Sequence, residues 1–172
     1  GKEDDAAYYS KTAEMAKKAW RFTATEDGKI SSDRQADYVR ALAFGLLDGD
    51  EARQAAADLD KLVKKCGYHL NTGFLSTRVL CDYGYEDTAY KLLLQDTRPG
   101  WLYEVKKGAT TIWETWDGIN EKGEVKASLN HYSYGAICGW ILDAVCGIQV
   151  SDGKIRICPH PDKVLGYAKA SY

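Results

Sequence analysis

The 172-residue chain carries 23 basic against 25 acidic side chains, a formal net charge of −2, with 45% hydrophobic and 28% charged residues. That balance excludes nucleic acid or an anionic membrane as the principal partner. It is ordinary usage for one globular domain with a real core, not for a disordered or collagen-like chain. The longest apolar run, ICGWILDAVCGI, is interrupted by an acid and stops well short of the ~20 residues of a membrane span. Cysteines 66, 81, 138, 146 and 158 show neither CxxC nor Cys/His zinc spacing and read as buried free thiols, so no metal and no cofactor is expected. The N-terminal GKEDDAAYY lacks a basic-then-apolar leader, which leaves periplasmic, secreted and cytoplasmic locations all open.

Asp4 to Thr23 places Tyr8, Tyr9, Met15, Ala16, Ala19, Trp20 and Phe22 on a helical face, ended by the glycine of EDGKI. Ser31 or Ser32 caps a second predicted helix, Asp33 to about Leu47, in which Tyr38, Leu42 and Leu46 recur at fourfold spacing. Asp50 caps a third, EARQAAADLDKLVKKCG, with Ala55, Leu59, Leu62 and Val63 on one face and Gly67 at its C′ position. HLNTGFLSTRVLCDYGY is less periodic and reads as a loop into a short helix from Gly73 to Asp82. A further helix spans Glu86 to Gln95 and stops before Pro99. SLNHYSYGAICGWILDAVCGI predicts a long helix from about Asn130 to Cys146, apolar on most of its circumference and therefore buried. Beyond it, IQVSDGKIRICPHPDKVLGYAKASY alternates apolar and polar residues around SDG and reads as strands. The expected class is mainly all-α: antiparallel helix pairs of a toroid or solenoid over residues 1–147, then the opening of a β region over 148–172.

One segment follows no period. GATTIWETWDGINEKG sets Trp113, Glu114, Trp116 and Asp117 within five positions. A carboxylate against indole rings loses solvation and gains the ability to exchange protons near neutral pH. Rings flanking acids suit a flat, hydroxyl-covered ligand. A surface Glu114 beside two core tryptophans fits the same composition, and Asp117 before Gly118 fits a turn aspartate. His131 in NHYSYG fits either a satisfied core histidine or a ligand contact, with Asn130 as a helix cap. Tyr68, His69, Asn71 and Thr72 gather several hydrogen-bonding groups on one loop.

At GYHLNTGFLSTRVL, YEDTAYKLLLQDTRPGWLYEVKKGATTIWETWDG and SLNHYSYGAICGWILDAVCGI the chain resembles the bacterial α-L-rhamnosidases of glycoside hydrolase family 78, in unbroken order from about Gln35. The resemblance implies an (α/α)6 barrel followed by a small β-sandwich. It implies that Glu114 is the general base, that Trp113, Trp116 and Asp117 belong to the rhamnose pocket with Trp101 as a further wall, and that His131 touches the sugar. The substrate class would be rhamnosides, cleaved with inversion to release terminal α-L-rhamnose. The family's general acid lies in an upstream motif that nothing in residues 1–34 resembles. The chain is therefore expected to be the C-terminal part of a catalytic barrel, inactive alone and prone to self-association through faces its missing half would cover. A non-catalytic helical carbohydrate-binding or interaction module is the competing reading, and a related sugar hydrolase or lyase on the same toroid is a third.

Overall fold

A computed structural model describes residues 1–72, 80 and 82–171. The chain opens with helix α1, Glu3–Ala24, whose first-turn acids Glu3, Asp4 and Asp5 and last-turn Arg21 complement the helix dipole. The helix forms where its composition directs, yet none of its residues is buried. Tyr8, Tyr9, Met15 and Phe22, on the face expected to pack, are 66%, 67%, 62% and 90% exposed. Its C-terminal half is tethered by Lys17 to Asp48 at 2.8 Å and by Arg21 to Glu51 at 2.5 Å, with Trp20 against the core.

The break expected at EDGKI is a small hairpin. Strands β1, Thr25–Glu26, and β2, Lys29–Ile30, pair antiparallel around Asp27 and Gly28, at φ 48° and 75°. Two successive positive φ values make the type I′ turn whose twist matches its strands.

Helix α2, Gln35–Ala43, is shorter than the predicted span to Leu47. Gly45, at φ 60°, turns the chain, and the Leu46 N–H reaches back to the Ala41 carbonyl at 2.8 Å while Gly45 N–H takes that of Leu42, which is a Schellman ending. Ser32 assists the start: its hydroxyl accepts the Arg34 N–H at 3.2 Å and donates to Asp37 at 2.7 Å. Helix α3, Gly49–Lys65, begins before the expected Asp50 cap, with Asp48 at the N-cap position. Gly67 closes it as expected, with Tyr68 N–H on the Val63 carbonyl at 2.9 Å. Its inner face buries Ala52, Ala55, Ala56, Leu59 and Val63 against α2 and against α4, Glu86–Leu93. Val39, Ala41, Leu59, Val63, Leu80, Ala89 and Leu92, all at 1% exposure or less, form the centre of the core. The one acid on that face, Asp60, receives the Thr88 hydroxyl at 2.6 Å and Lys64 at 2.7 Å, which satisfies the rule that buried charge be paired.

The short helix α5, Trp101–Lys106, was not expected. The predicted long helix from Asn130 is corrected to three successive pieces: a 3₁₀ turn Ser133–Ala136, α6 Ile137–Trp140, and a π turn Ile141–Val145. Gly135 and Gly139 weaken α-helix there, and Cys146 N–H bonds the Ile141 carbonyl at 2.8 Å, one residue beyond the α spacing. Only Ile137, Trp140 and Val145 of the run are buried, so it presents one stripe inward, not its whole circumference. The cysteine expectation is also corrected: all four described thiols are free, but Cys66 and Cys138 are exposed and Cys146 and Cys158 half-buried, while Cys81 lies outside the described residues, as does most of the predicted helix from Gly73. The tail forms β3, Ile148–Ser151, and β4, Lys154–Ile157, antiparallel around Asp152 and Gly153. Gly147 admits the return of the tail: at φ 74° a Cβ would lie 2.1 Å from the Pro159 nitrogen. Among the described residues no helix is long and apolar enough to cross a membrane.

Candidate active site

The aperiodic segment is one strand of an irregular antiparallel ribbon. His131 N–H donates to the Ile112 carbonyl at 2.8 Å, Glu114 N–H to Ser128 at 2.9 Å, and Lys126 N–H to Gly118 at 2.8 Å. Ile119 bridges Val125, and the turn closes on Asn120, whose side-chain oxygen accepts the N–H groups of Lys122 and Glu124 at 3.0 and 2.9 Å. The segment is not helical: it pairs with the second strand at these points and turns at Thr115–Gly118, with Trp113 buried and Glu114 exposed.

Glu114 lies exposed on the outer face. Its Oε2 accepts the Ser128 N–H at 3.1 Å, so both backbone and side chain of Glu114 are registered against the same residue across the ribbon. His131 follows on that second strand, half-buried; its Nδ1 accepts the Ser133 N–H at 3.3 Å, and its ring stacks on Tyr132 at 5.0 Å. With Nδ1 an acceptor, the neutral imidazole carries its proton on Nε2 and is a donor there.

Behind this face stands an aromatic cluster. Trp101 meets Trp116 edge-on at 5.5 Å, Trp116 lies 3.9 Å from Tyr134, and the Trp101 indole N–H donates to the Tyr134 carbonyl at 3.0 Å. Trp116 is half-buried and offers part of its ring. Trp113 and Trp101, at 1% and 5% exposure, are packed in the interior. Gly118 fits under Trp113 closely enough that a Cβ would lie 3.1 Å from the indole. Asp117 sits at the rim in a Thr115–Gly118 turn, 3.5 Å from Arg98.

The desolvated carboxyl is not Glu114 but Glu104 on α5. It is 2% exposed, its Oε2 accepts the Trp113 N–H at 3.2 Å, and its Oε1 has no partner among the described residues. Burial pushes it up to about 7, against the opposing pull of that backbone N–H. Burial likewise raises the Tyr134 phenol, with the Glu104 charge adding to it. Glu104 was missed in the sequence, although Trp101 and Glu104 stand three apart and so share a helical face. The loop at Tyr68 to Thr72 serves the fold: His69 Nδ1–H donates to the Pro99 carbonyl at 2.9 Å, and Gln35 holds His69 and Asn71 at 3.0 Å each. A separate cavity of about 270 Å³, lined by Tyr90, Cys146, Pro161 and Tyr167 among others, takes none of its walls from the ribbon. No cluster of metal-ligating side chains occurs among the described residues.

The chain thus combines a mainly helical scaffold with an irregular ribbon on which Glu114 is exposed and His131 and Trp116 are half-buried. Residues 1–145 match the model of the bacterial α-L-rhamnosidase six-hairpin glycosidase domain, and the chain belongs to that family. The match begins at residue 1, ahead of Gln35, where the sequence motifs begin. An α-L-rhamnosidase of Streptomyces avermitilis is 38% identical over 98% of the chain, and one of Formosa agariphila 35% identical over 99%. The chain spans 18% and 20% of the lengths of those two relatives. Among solved structures, the Streptomyces avermitilis α-L-rhamnosidase complexed with L-rhamnose superposes with TM-score 0.82 at 35% identity, covering 91% of this chain and 16% of that one. Native α-L-rhamnosidase from Aspergillus terreus superposes with TM-score 0.87 at 28% identity, covering 93% and 20%.

Proposed function

We propose that this chain supplies the base side of an α-L-rhamnosidase active site, in which Glu114 activates the water that displaces a terminal α-L-rhamnoside with inversion. The observation that carries the reading is the ribbon register: an exposed carboxylate, oriented by the Ser128 N–H, stands on one strand while His131 follows on its partner. The resemblance of GATTIWETWDG and NHY to family 78, and the names of the relatives, supply the sugar. The Glu114 carboxylate takes the proton of the attacking water; His131 Nε2–H binds a sugar hydroxyl; Trp116 offers an apolar wall, backed by Trp101. Asp117 belongs to the rim. In an inverting glycosidase a second carboxyl, roughly 6.5–9.5 Å from the base, protonates the leaving oxygen. None of the residues discussed takes that role, so the 172-residue chain alone should not turn over a rhamnoside.

The test is an aryl α-L-rhamnoside assay on the full-length enzyme that contains this chain, with and without Glu114→Gln. We expect kcat to fall by about 10²–10⁴-fold with KM nearly unchanged, because a general base acts in the transition state. Comparable loss of kcat and of affinity would assign Glu114 to binding only. The uncovered apolar face of α1, with Phe22 at 90% exposure, also supports self-association of the isolated chain. Light scattering of a stable monomer would refute that.

A further inference from the structure

Glu114 lies exposed on the ribbon, but what holds the ribbon lies underneath. Glu104 projects from α5 beneath Trp113, 2% exposed, and its Oε2 accepts the Trp113 N–H at 3.2 Å. That N–H lies one residue before the peptide N–H by which Glu114 pairs with Ser128 at 2.9 Å. Two opposed hydrogen bonds therefore clamp consecutive peptides: one from the buried side, by a side chain, and one from the neighbouring strand, by backbone. A buried backbone N–H needs an acceptor, and a leucine or methionine in place of Glu104 would leave Trp113 without this one. An apolar residue at position 104 would otherwise be the ordinary choice for a site packed among Trp101, Trp113 and Tyr134.

The carboxyl costs stability where it stands. Oε1 accepts no hydrogen bond among the described residues, and the Thr115 hydroxyl, two positions beyond Trp113, is a second buried polar atom without one. Buried polar atoms left without partners are expected where conformation is maintained for function. Tyr134, on the 3₁₀ turn Ser133–Ala136, is the titratable group that the Glu104 charge reaches, and its backbone carbonyl holds Trp101. Glu104 thus bears on the ribbon through Trp113 and on the aromatic wall through Tyr134.

We infer that Glu104 is a positioning residue of the active site, fixing from the buried face the Trp113 peptide that sets Glu114 against Ser128 and keeps Trp116 in register with its wall. Glu104 does not touch substrate; it acts through the backbone. Its effect on turnover rests on the reading of Glu114 as the base, whereas the tie between Glu104 and Trp113 does not.

Two measurements separate these. In the 172-residue chain, the Trp113 amide signal should titrate with a midpoint near 7, following the carboxyl that burial has shifted to about 7, and the titration should vanish in Glu104→Gln, which keeps an acceptor oxygen but cannot ionise. A Trp113 amide that does not move with pH, or that titrates unchanged in Glu104→Gln, overturns the tie. In the full-length enzyme, Glu104→Gln should hold kcat within about threefold of the parent at pH 8 and remove any limb of the kcat–pH profile near 7. Glu104→Met, of similar volume and without an acceptor, should lower kcat at least tenfold while KM changes less. Rescue by Gln but not by Met supports positioning; equal kcat in Glu104→Met and the parent overturns it. Should Glu104→Met fail to fold, the Gln variant and the amide titration still decide. If Glu114→Gln retains full turnover, the functional reading fails, and the Trp113 titration still judges the assignment of Glu104.

Discussion

The two faces of the ribbon between Ile112 and His131 are built on opposite terms. Inward, Trp113 at 1% exposure lies over Gly118 and donates its backbone N–H to Glu104, in packing close enough that a single added Cβ at Gly118 would force its neighbours to shift. Outward, Glu114, Ser128 and Asn130 are exposed, and their order comes from hydrogen bonds instead of contacts. The contrast shows how the Glu114 carboxylate can stay accessible without being loose. Its side chain need not be buried if the peptide on one side of it is clamped from below and its own is paired across the ribbon.

The comparison breaks most visibly if the faces can be exchanged. Glu114→Gln should reduce turnover by about 10²–10⁴-fold and leave thermal unfolding nearly unchanged, since the outer face contributes little packing. Trp113→Ala should do the reverse at first sight. It removes a fully enclosed indole and should cost about 3–5 kcal/mol of stability, seen as a lower denaturant midpoint, with loss of activity following from disorder of the ribbon. A Trp113→Ala variant as stable as the parent would mean that the inner face does not anchor the outer one.

These faces were unequally readable in the sequence. Helix α3 was plain because Ala55, Leu59 and Val63 repeat at fourfold spacing and Gly67 ends it, and period and cap agree with the packing. The ribbon has no such period: its strands are held by pairs such as Glu114 with Ser128, fourteen residues apart, and long-range pairing leaves no local signature. Composition pointed to the segment, and resemblance assigned Glu114 and His131. It could not say that Trp113 faces inward, nor that the desolvated acid is Glu104, because burial depends on what arrives from elsewhere in the chain. The same limit applies to α1, whose apolar face was read correctly as a pattern yet buries no residue. Amphipathicity states what a helix can cover, not whether the covering partner is present.

The inner face also carries a pH signature. Glu104 has a pKa of about 7 in the folded chain against an ordinary 4.5, so between those values the folded state holds a proton that the unfolded state has released. Its contribution is fully present below pH 4.5 and is lost as pH rises toward 7, amounting to about 3 kcal/mol at 1.36 kcal/mol per unit. Asp37 runs the other way: hydrogen bonding by Ser32 holds its carboxyl below the usual range, and its contribution is lost in acid. Denaturant titrations at pH 5 and pH 8 should therefore differ, and Glu104→Gln should flatten the difference. A slope that survives the substitution would place the responsible group elsewhere.

The smallest effect is expected at the rim. Asp117 lies 3.5 Å from Arg98, with both side chains about half exposed at 49% and 51%. Solvent screens such a pair, whose contribution to stability is about 0–1 kcal/mol and falls with salt. Asp117→Asn preserves the turn-forming side chain and should change stability by less than about 1 kcal/mol. Its value lies in what it does to binding. If Asp117 is only a turn residue leaning on Arg98, then Asp117→Asn and Arg98→Gln should be equally mild in the rhamnoside assay and additive in combination. If it accepts a hydroxyl of the sugar, Asp117→Asn alone should raise KM while kcat holds, and Arg98→Gln should not reproduce it. Identical kinetics for both single variants would confine the ribbon's outer contribution to Glu114, His131 and Trp116, and would make the sharp difference between its two faces a matter of three side chains.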